Sequence, residues 1–260
     1  METRQERGRC RAGNYVTRIS VVVPVKNDAR ELDLCLSALT GQTIPALEII
    51  VVDNDSSDDS ALVALRHGAT VIPERRKGIW AAAATGFDHA SGDVIARCDA
   101  DSRPGDDWLE RIASELDAHP EAAAITGPGR FYKLGPVRRA LADVFYMRAY
   151  FVLAHGALAH RPLFGSNFAI RACVWREVSA GVHRDDPDVH DDFDLSYHLG
   201  PASTVLVDRR LEVGISSRPF SGPVSMLIRT KRAMHTVAVH GVREQPVLRW
   251  RRRFLNSLGR

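Results

Sequence analysis

The stretch "RISVVVPVKNDARELDLCLSAL", residues 18–39, decides the fold. Ile19 to Val25 is a continuous apolar run of strand length, rich in valine. A strand with one wet face would alternate apolar and polar residues. An unbroken run belongs to a strand covered on both faces, as in a parallel sheet between two layers of helices. Directly after it, Leu32, Cys35, Leu36 and Leu39 recur at i, i+3, i+4 and i+7, one face of a helix. Asp28, with Glu31 three residues on, reads as the N-terminal capping pair of that helix.

The same alternation continues down the chain. "ALEIIVVDND" (46–55) reads as a second buried strand, and a helix from about Ser57 to His67 stops at Gly68. "ATVIPE" (69–74) gives a third strand, "GIWAAAATGFDHA" (78–90) a helix and "DVIARCD" (93–99) a fourth strand. "WLERIASELDAHP" (108–120) is amphipathic through Trp108, Ile112 and Leu116, and "AAAITG" (122–127) is a fifth strand. Strands alternating with helices predict an α/β fold with a doubly wound, mostly parallel sheet and helices on both faces.

The second half is less regular. Residues 137–160 have a helical, aromatic-rich pattern interrupted by Asp143, Arg148 and His155, so no stretch reaches the roughly 20 apolar residues of a membrane span. A seat on a membrane or an acceptor is open to it; packing against the core is the reading taken. "LFGSNFAIRACVWREVSAG" (163–181) is a strand from Phe164 to Ile170 turning into a short helix, with Trp175 read as core. "VHDDFDLSYHLG" (189–200) is a helix opening in acid, and "STVLVDRRLEVGIS" (203–216) holds a late pair of strands. With no repeats and no obvious linker, one domain is expected over 18–220, with a disordered lead-in over 1–17 and a basic helical extension over 221–260.

Of the 260 residues, 45% are hydrophobic and 26% charged, enough for one sizeable core. The four cysteines lie far apart without metal-ligand spacing, which argues against a zinc site or a disulfide framework and for a reducing cytoplasm. The N-terminus is basic and polar with no apolar core, so it does not read as a secretory signal. The net charge of +3 is uneven: residues 229–260 hold nine Lys/Arg against one acid, Glu244, leaving 26 basic and 31 acidic residues in 1–228. Such a tail suits an anionic surface, for instance the inner face of a membrane, or is simply solvated. The mixture of cations and apolar residues in "LRWRRRFLNSLGR" (248–260) favours peripheral membrane contact.

Three acidic clusters fall after predicted strands or at a helix start: "VDND" (52–55), "DAD" (99–101) and "HDDFD" (190–194). Ligands of open α/β sheets gather beyond the carboxyl ends of the strands. Asp53, Asp55 and Asp192 are equally suited to cap the helices that follow them. Asp99 and Asp101 crowd like charges at a strand end, an arrangement that a cation would relieve.

In this order the motifs "ISVVVPVKND", "EIIVVDNDSSDDS", "SGDVIARCDADSRP", "GSNFAIRACVWREV" and "HDDFDLSYHL" resemble those of the family 2 glycosyltransferases, inverting enzymes of the GT-A fold, over roughly residues 18–220. The resemblance implies a hexosyltransferase-like enzyme of cell-envelope polysaccharide or glycolipid synthesis. It would move a sugar from a UDP- or GDP-sugar to a hydroxyl of a saccharide or lipid-linked acceptor. It also implies a DxD motif holding Mn2+ or Mg2+, with Asp101 on the metal and Asp99 reaching the ribose or a metal-bound water. Asp192 matches the general base, with Asp191 in the usual glutamate position. Pro24, Val25, Asn27, Asp53, Asp55 and Lys77 fall at donor nucleotide positions, with Asp28 a weaker one. Gly165, Ser166 and Asn167 fall in the donor and acceptor pocket.

One departure from the pattern is that Ala83 and Ala84 stand where many relatives carry Arg-Asn, so Arg75, Arg76 or Lys77 is asked to supply the cation. His235 and His240 are further metal or diphosphate candidates, and Arg218, Arg229 and Arg232 phosphate candidates. No nucleic-acid partner is expected. A nucleotide-sugar-binding module without turnover, or a sugar nucleotidyltransferase, stays open as an alternative. The latter lacks its Gly-rich phosphate loop in "PVKNDAREL".

Overall fold

The structure is a computed structural model, and it describes residues 17–132, 134–218 and 223–258. The lead-in predicted over 1–17 therefore lies almost wholly outside the described residues.

Strand β1 (Ile19–Val25) is buried along its whole length. It lies between β2 (Glu48–Asp53) and β4 (Val94–Arg97), parallel to both, which is why none of its apolar side chains alternates with a polar one. β3 (Thr70–Pro73) adds in parallel to β2. Beyond β4 the sheet continues through β8 (Phe168–Arg171), β6 (Ala122–Thr126) and β9 (Thr204–Val207). β8 runs antiparallel to both of its neighbours, so the sheet is mixed but mostly parallel. A second, three-stranded sheet of β5 (Arg103–Pro104), β10 (Val213–Ile215) and β7 (Gly129–Phe131) stands beside it. β5 and β7 were not foreseen; two or three residues carry no periodicity to read.

Helices cover both faces. On one, α1 (Ala29–Thr40) buries Leu32, Cys35, Leu36 and Leu39, as its spacing predicts. It shares its core with α2 (Ser60–Arg66) and α4 (Trp108–Ala118). On the other face, α3 (Ile79–His89), α7 (Ala172–Val178) and α8 (Asp191–Leu199) share a second core. Trp175 belongs to it, edge-on to Trp80 and Phe87. The alanine run of α3 lets this helix lie close on β1. A Cβ at Gly86 would meet Val22 Cγ1 at 2.4 Å, so only glycine fits there.

The capping pair is a correction. The Asp28 side chain caps nothing; it pairs with Arg218 at 2.6 Å, while Glu31 pairs with Arg103. The first-turn N–H of Ala29 is taken instead by Asp58 Oδ2, at 2.9 Å.

Residues 136–158 meet the core-packing expectation on one face only. They form α5 (Pro136–Ala142), a π-helical turn (Asp143–Met147) and α6 (Arg148–Leu158). This segment buries Met147, Ala154 and Leu158 but leaves Phe145 68% and Leu153 73% exposed. The basic extension is helical, as α9 (Pro223–Val239) and α10 (Pro246–Leu258). Arg249 of α10 is fully buried, donating to the carbonyls of Leu158 and Tyr197 and to Glu244, while Trp250 and Phe254 remain exposed. No helix among the described residues is long and apolar enough to cross a membrane. Cys35 and Cys98 are buried free thiols.

Candidate active site

A cleft of about 540 Å³ opens beyond the carboxyl ends of β1, β2 and β4, where an open α/β sheet collects its ligands and within the size range of small-molecule sites. The end of β1 supplies Pro24 and Val25, and the chain after it Lys26 and Asp28; Asn54 follows β2, and Lys77 to Ile79 lead into α3. Asp99 and Asp101 follow β4, and Phe164 and Ser166 precede β8. Tyr146, Ser216, Arg218 and Arg229 close the other side.

The DxD turn is built locally. Ser102 Oγ accepts from the Asp99 N–H, and the Asp99 carbonyl accepts from the Ser102 N–H, which folds 99–102 tightly at the strand end. Each oxygen of the Asp99 carboxylate accepts one hydrogen bond, from Arg97 at 3.1 Å and from Ser166 Oγ at 2.6 Å, which leaves lone pairs on both. Asp101 is different. Its side chain is only 18% exposed and meets one cation, Arg218, at 3.5 Å. Burial first, and the charge of Asp99 second, push its carboxyl up to about 6. A carboxylate so raised, beside a second carboxylate, is a hard oxygen donor set short of positive charge, and it fits Mg2+ or Mn2+. Asp101 and Asp99 are the residues that would hold such an ion.

Behind the cleft lies a charge hub that the sequence did not reveal. Arg97, the last residue of β4, a strand that otherwise reads as apolar, is 1% exposed. It reaches forward to Asp99 at 3.1 Å and back to Asp191 at 2.5 Å. Burial opposes its charge, but Asp191, Asp99 and Asp192 outweigh that and raise its pKa. Burial likewise opposes the Asp191 charge, and Arg97 and His190 overcome it, holding the carboxyl well below the usual range. His190 is pushed to about 10: burial lowers it, and the charges of Asp192 and Asp191 more than compensate. The Asp192 carboxylate accepts from Gly165 N at 2.7 Å and Tyr150 OH at 3.0 Å, and His190 Nδ1 lies 2.7 Å from its other oxygen. A Cβ at Gly165 would stand 3.0 Å from Asp192 Oδ2, so glycine lets this carboxylate come up directly behind the wall formed by Phe164 and Ser166.

Of the residues singled out from sequence, Pro24, Val25, Lys77, Asp99, Asp101 and Ser166 line one cleft, together with Asp28, Arg218 and Arg229. Others do not line it. Asn27 has φ +50° and ties the β1 and β2 loops together by accepting from Ser57 N at 2.7 Å. Asp53 accepts from Ser56 N, and Asp55 turns the chain at φ +60°. Asn167 is a brace, accepting from Trp108 Nε1 and donating to the Leu211 and Pro128 carbonyls. His235 pairs with Asp186, and Arg76 with Glu74 and Asp185. Ala83 and Ala84 sit on the buried face of α3, and of the cations just upstream it is Lys77 that lines the cleft. Asn54, between Asp53 and Asp55, carries no signal of its role in the sequence. Its Nδ2 donates to the Glu74 and Arg76 carbonyls and its Oδ1 accepts from Gly78 N, so it sets the entrance to α3.

Residues 20–172 match the sequence model of the family described as Glycosyl transferase family 2, and the chain belongs to that family. Among curated relatives it is 36% identical over 106 residues to "Glycosyltransferase AglE" of Haloferax volcanii, covering 38% of this chain and 35% of that protein. It is 30% identical over 112 residues to "Undecaprenyl-phosphate 4-deoxy-4-formamido-L-arabinose transferase" of Salmonella dublin, covering 39% of this chain and 34% of the other. The matched part thus spans about a third of each of these relatives. Among solved structures, the mannosyltransferase PcManGT from Pyrobaculum calidifontis, in complex with GDP-Man and Mn2+, superposes with a TM-score of 0.69. The identity is 18%, over 93% of this chain and 70% of that one, a likeness of fold.

Proposed function

We propose that this chain moves a sugar from a nucleotide diphosphate sugar, UDP- or GDP-linked, to a hydroxyl of a saccharide or lipid-linked acceptor, with inversion at the sugar carbon. The observation that carries the reading is the convergence of Asp99 and Asp101 with Lys77, Arg218 and Arg229 in one cleft beyond β1 and β4. A diphosphate bound through a divalent cation needs hard oxygen donors on one side and fixed cations on the other, and the cleft carries both.

When bound to Asp101 and Asp99, Mn2+ or Mg2+ supplies Lewis acidity toward the diphosphate leaving group. The chain's own residues do the rest. Arg218, Arg229 and Lys77 set fixed positive charge along the cleft, where phosphate oxygens are bound. Pro24, Val25 and Asn54 shape the floor on which the nucleoside lies. Asp192 takes the proton of the acceptor hydroxyl as that oxygen bonds to the sugar carbon, and the sugar–phosphate bond breaks with its electron pair leaving on the diphosphate. Positioned general base catalysis of this kind is worth roughly 10²–10⁴-fold. His190 and the Gly165 N–H keep Asp192 oriented beside the cleft wall, and Arg97 links this acid side to the DxD side through shared charge. The exposed apolar and cationic side chains of α10 suit peripheral contact with an anionic membrane, where a lipid-linked acceptor would present its hydroxyl.

Calorimetric titration with UDP and with GDP, each with and without Mn2+, beside Asp101→Ala tests this reading. Binding of one nucleotide that requires both Mn2+ and Asp101 supports it and selects the donor class. Absence of binding by either nucleotide under every condition overturns it.

A further inference from the structure

On the other side of α8 from Asp191 and Asp192, three imidazoles gather around one carboxylate. Asp194 Oδ1 lies 2.7 Å from His183 Nδ1, 2.9 Å from His240 Nε2 and 3.6 Å from His198 Nε2. All four ligand atoms fall within 4.8 Å of one another. The second carboxylate oxygen is fixed by Trp80 Nε1 at 2.8 Å and His183 N at 2.9 Å. The carboxylate is therefore oriented by an indole and a backbone N–H that supply no ligand atom, as outer partners orient metal-ligating side chains.

Hydrogen bonding alone leaves this arrangement incomplete. One oxygen has room for His183 and His240, and His198 Nε2 is buried with no hydrogen-bond partner among the described residues. A tetrahedral ion with bonds of about 2.0–2.2 Å holds its donors about 3.3 Å apart, inside the spread seen here, and would engage all four atoms together. Three nitrogens and one oxygen are a borderline donor set that suits Zn2+ and not the hard cations expected at Asp101. The neighbouring group of His190, Asp191 and Asp192 makes no comparable case, because Arg97 already supplies its cation.

We propose that His183, Asp194, His198 and His240 form a closed four-ligand site for one Zn2+ ion, separate from the cleft. The four residues come from the segment before α8, from α8 itself and from the position directly after α9. Arg229 of the same α9 lines the cleft, so the ion fastens to the body the helix that carries a cleft cation. No pair of these ligands other than Asp194 and His198 has a spacing that announces a metal site, which is why the sequence did not show it.

The test uses the full, untagged chain, stripped with a chelator and titrated with Zn2+ against a chromophoric competitor, and separately with Co2+. One Zn2+ per chain is expected, with the strong visible bands of tetrahedral Co2+. Asp101→Ala keeps both, whereas His198→Ala and His240→Ala each weaken Zn2+ binding about 100-fold or more. His198 is the safer probe of the two: it is 21% exposed and its Nε2 makes no hydrogen bond, so its removal leaves the fold intact by circular dichroism. Failure of the stripped protein to bind one equivalent overturns the proposal. So does unchanged affinity in both histidine variants, or loss of Zn2+ in Asp101→Ala alone, which would put the ion in the cleft.

Discussion

Replacing Asp101 with asparagine should stabilise the metal-free protein while removing metal-dependent nucleotide binding. Burial and the neighbouring Asp99 charge raise the Asp101 carboxyl from 3.8 to about 6. At about 1.4 kcal/mol per pKa unit, the folded state disfavours ionised Asp101 by about 3 kcal/mol at neutral pH. Asparagine keeps the shape and discards the charge. It also discards the pair with Arg218, but that guanidinium side chain is 57% exposed, and such a pair is worth about 0–1 kcal/mol. The net gain is about 2 kcal/mol, or about 4–8 °C in Tm for a chain of this size. The sign with pH follows from a folded pKa above the unfolded one. The wild type has its full relative stability below about pH 4 and loses it as pH rises through about 6, so the advantage of the variant is small near pH 4 and complete by pH 7. Urea or thermal unfolding in EDTA at several pH values measures this. Mn2+ should raise the wild-type Tm and leave Asp101→Asn unmoved. A variant no more stable than wild type in EDTA at pH 7 would refute the reasoning that Asp101 is held ionised at a cost that a cation offsets.

Other outcomes follow from the same geometry. Asp192→Asn should keep nucleotide affinity and lose about 10²–10⁴-fold in turnover; wild-type turnover would remove Asp192 from the chemistry. Gly165→Ala pushes a methyl to 3.0 Å from the Asp192 carboxylate, and single-turnover assays should show about a 10–100-fold loss with donor binding unchanged. Arg97→Met leaves Asp99 and Asp191 without their shared cation and should cost about 3–5 kcal/mol in urea unfolding; a loss under 1 kcal/mol would show that the hub contributes little. For Arg251→Ala with Arg252→Ala, partitioning onto anionic vesicles should fall up to about 30-fold, at about 1 kcal/mol per residue, and equal partitioning would return α10 to solvent.

Where the chain repeats a strand and a helix with clear apolar periods, the sequence was enough. The buried valines of β1 and the leucine face of α1 stand where their spacing put them. So do Asp99 and Asp101, because a strand end in a parallel sheet has one direction to point. What could not be read depends on neighbours remote in sequence. Asp28 and Glu31 resemble a cap until Arg218 and Arg103 arrive to claim them. Arg97 looks like an intruder in an apolar strand until Asp191, far along the chain, completes its pairing. The segment 137–160 has the composition of a core helix, and only the assembled sheet shows that no core is left for its outer face to enter.

The antiparallel course of β8 has a consequence for how this molecule can diverge. The chain leaves the small sheet at Phe131 and does not rejoin the large one until Phe168, yet β4, β8 and β6 close on each other regardless of what lies between. Residues 134–158 are an excursion, pinned where Met147 enters the core and where Tyr150 meets Asp192, before 164–167 return to the site. Doubling the length of such a loop costs only about 0.6 kcal/mol in closure entropy. The excursion can therefore be lengthened, shortened or resurfaced while the catalytic sheet keeps its registration, so that a change of customer need not mean a change of machine.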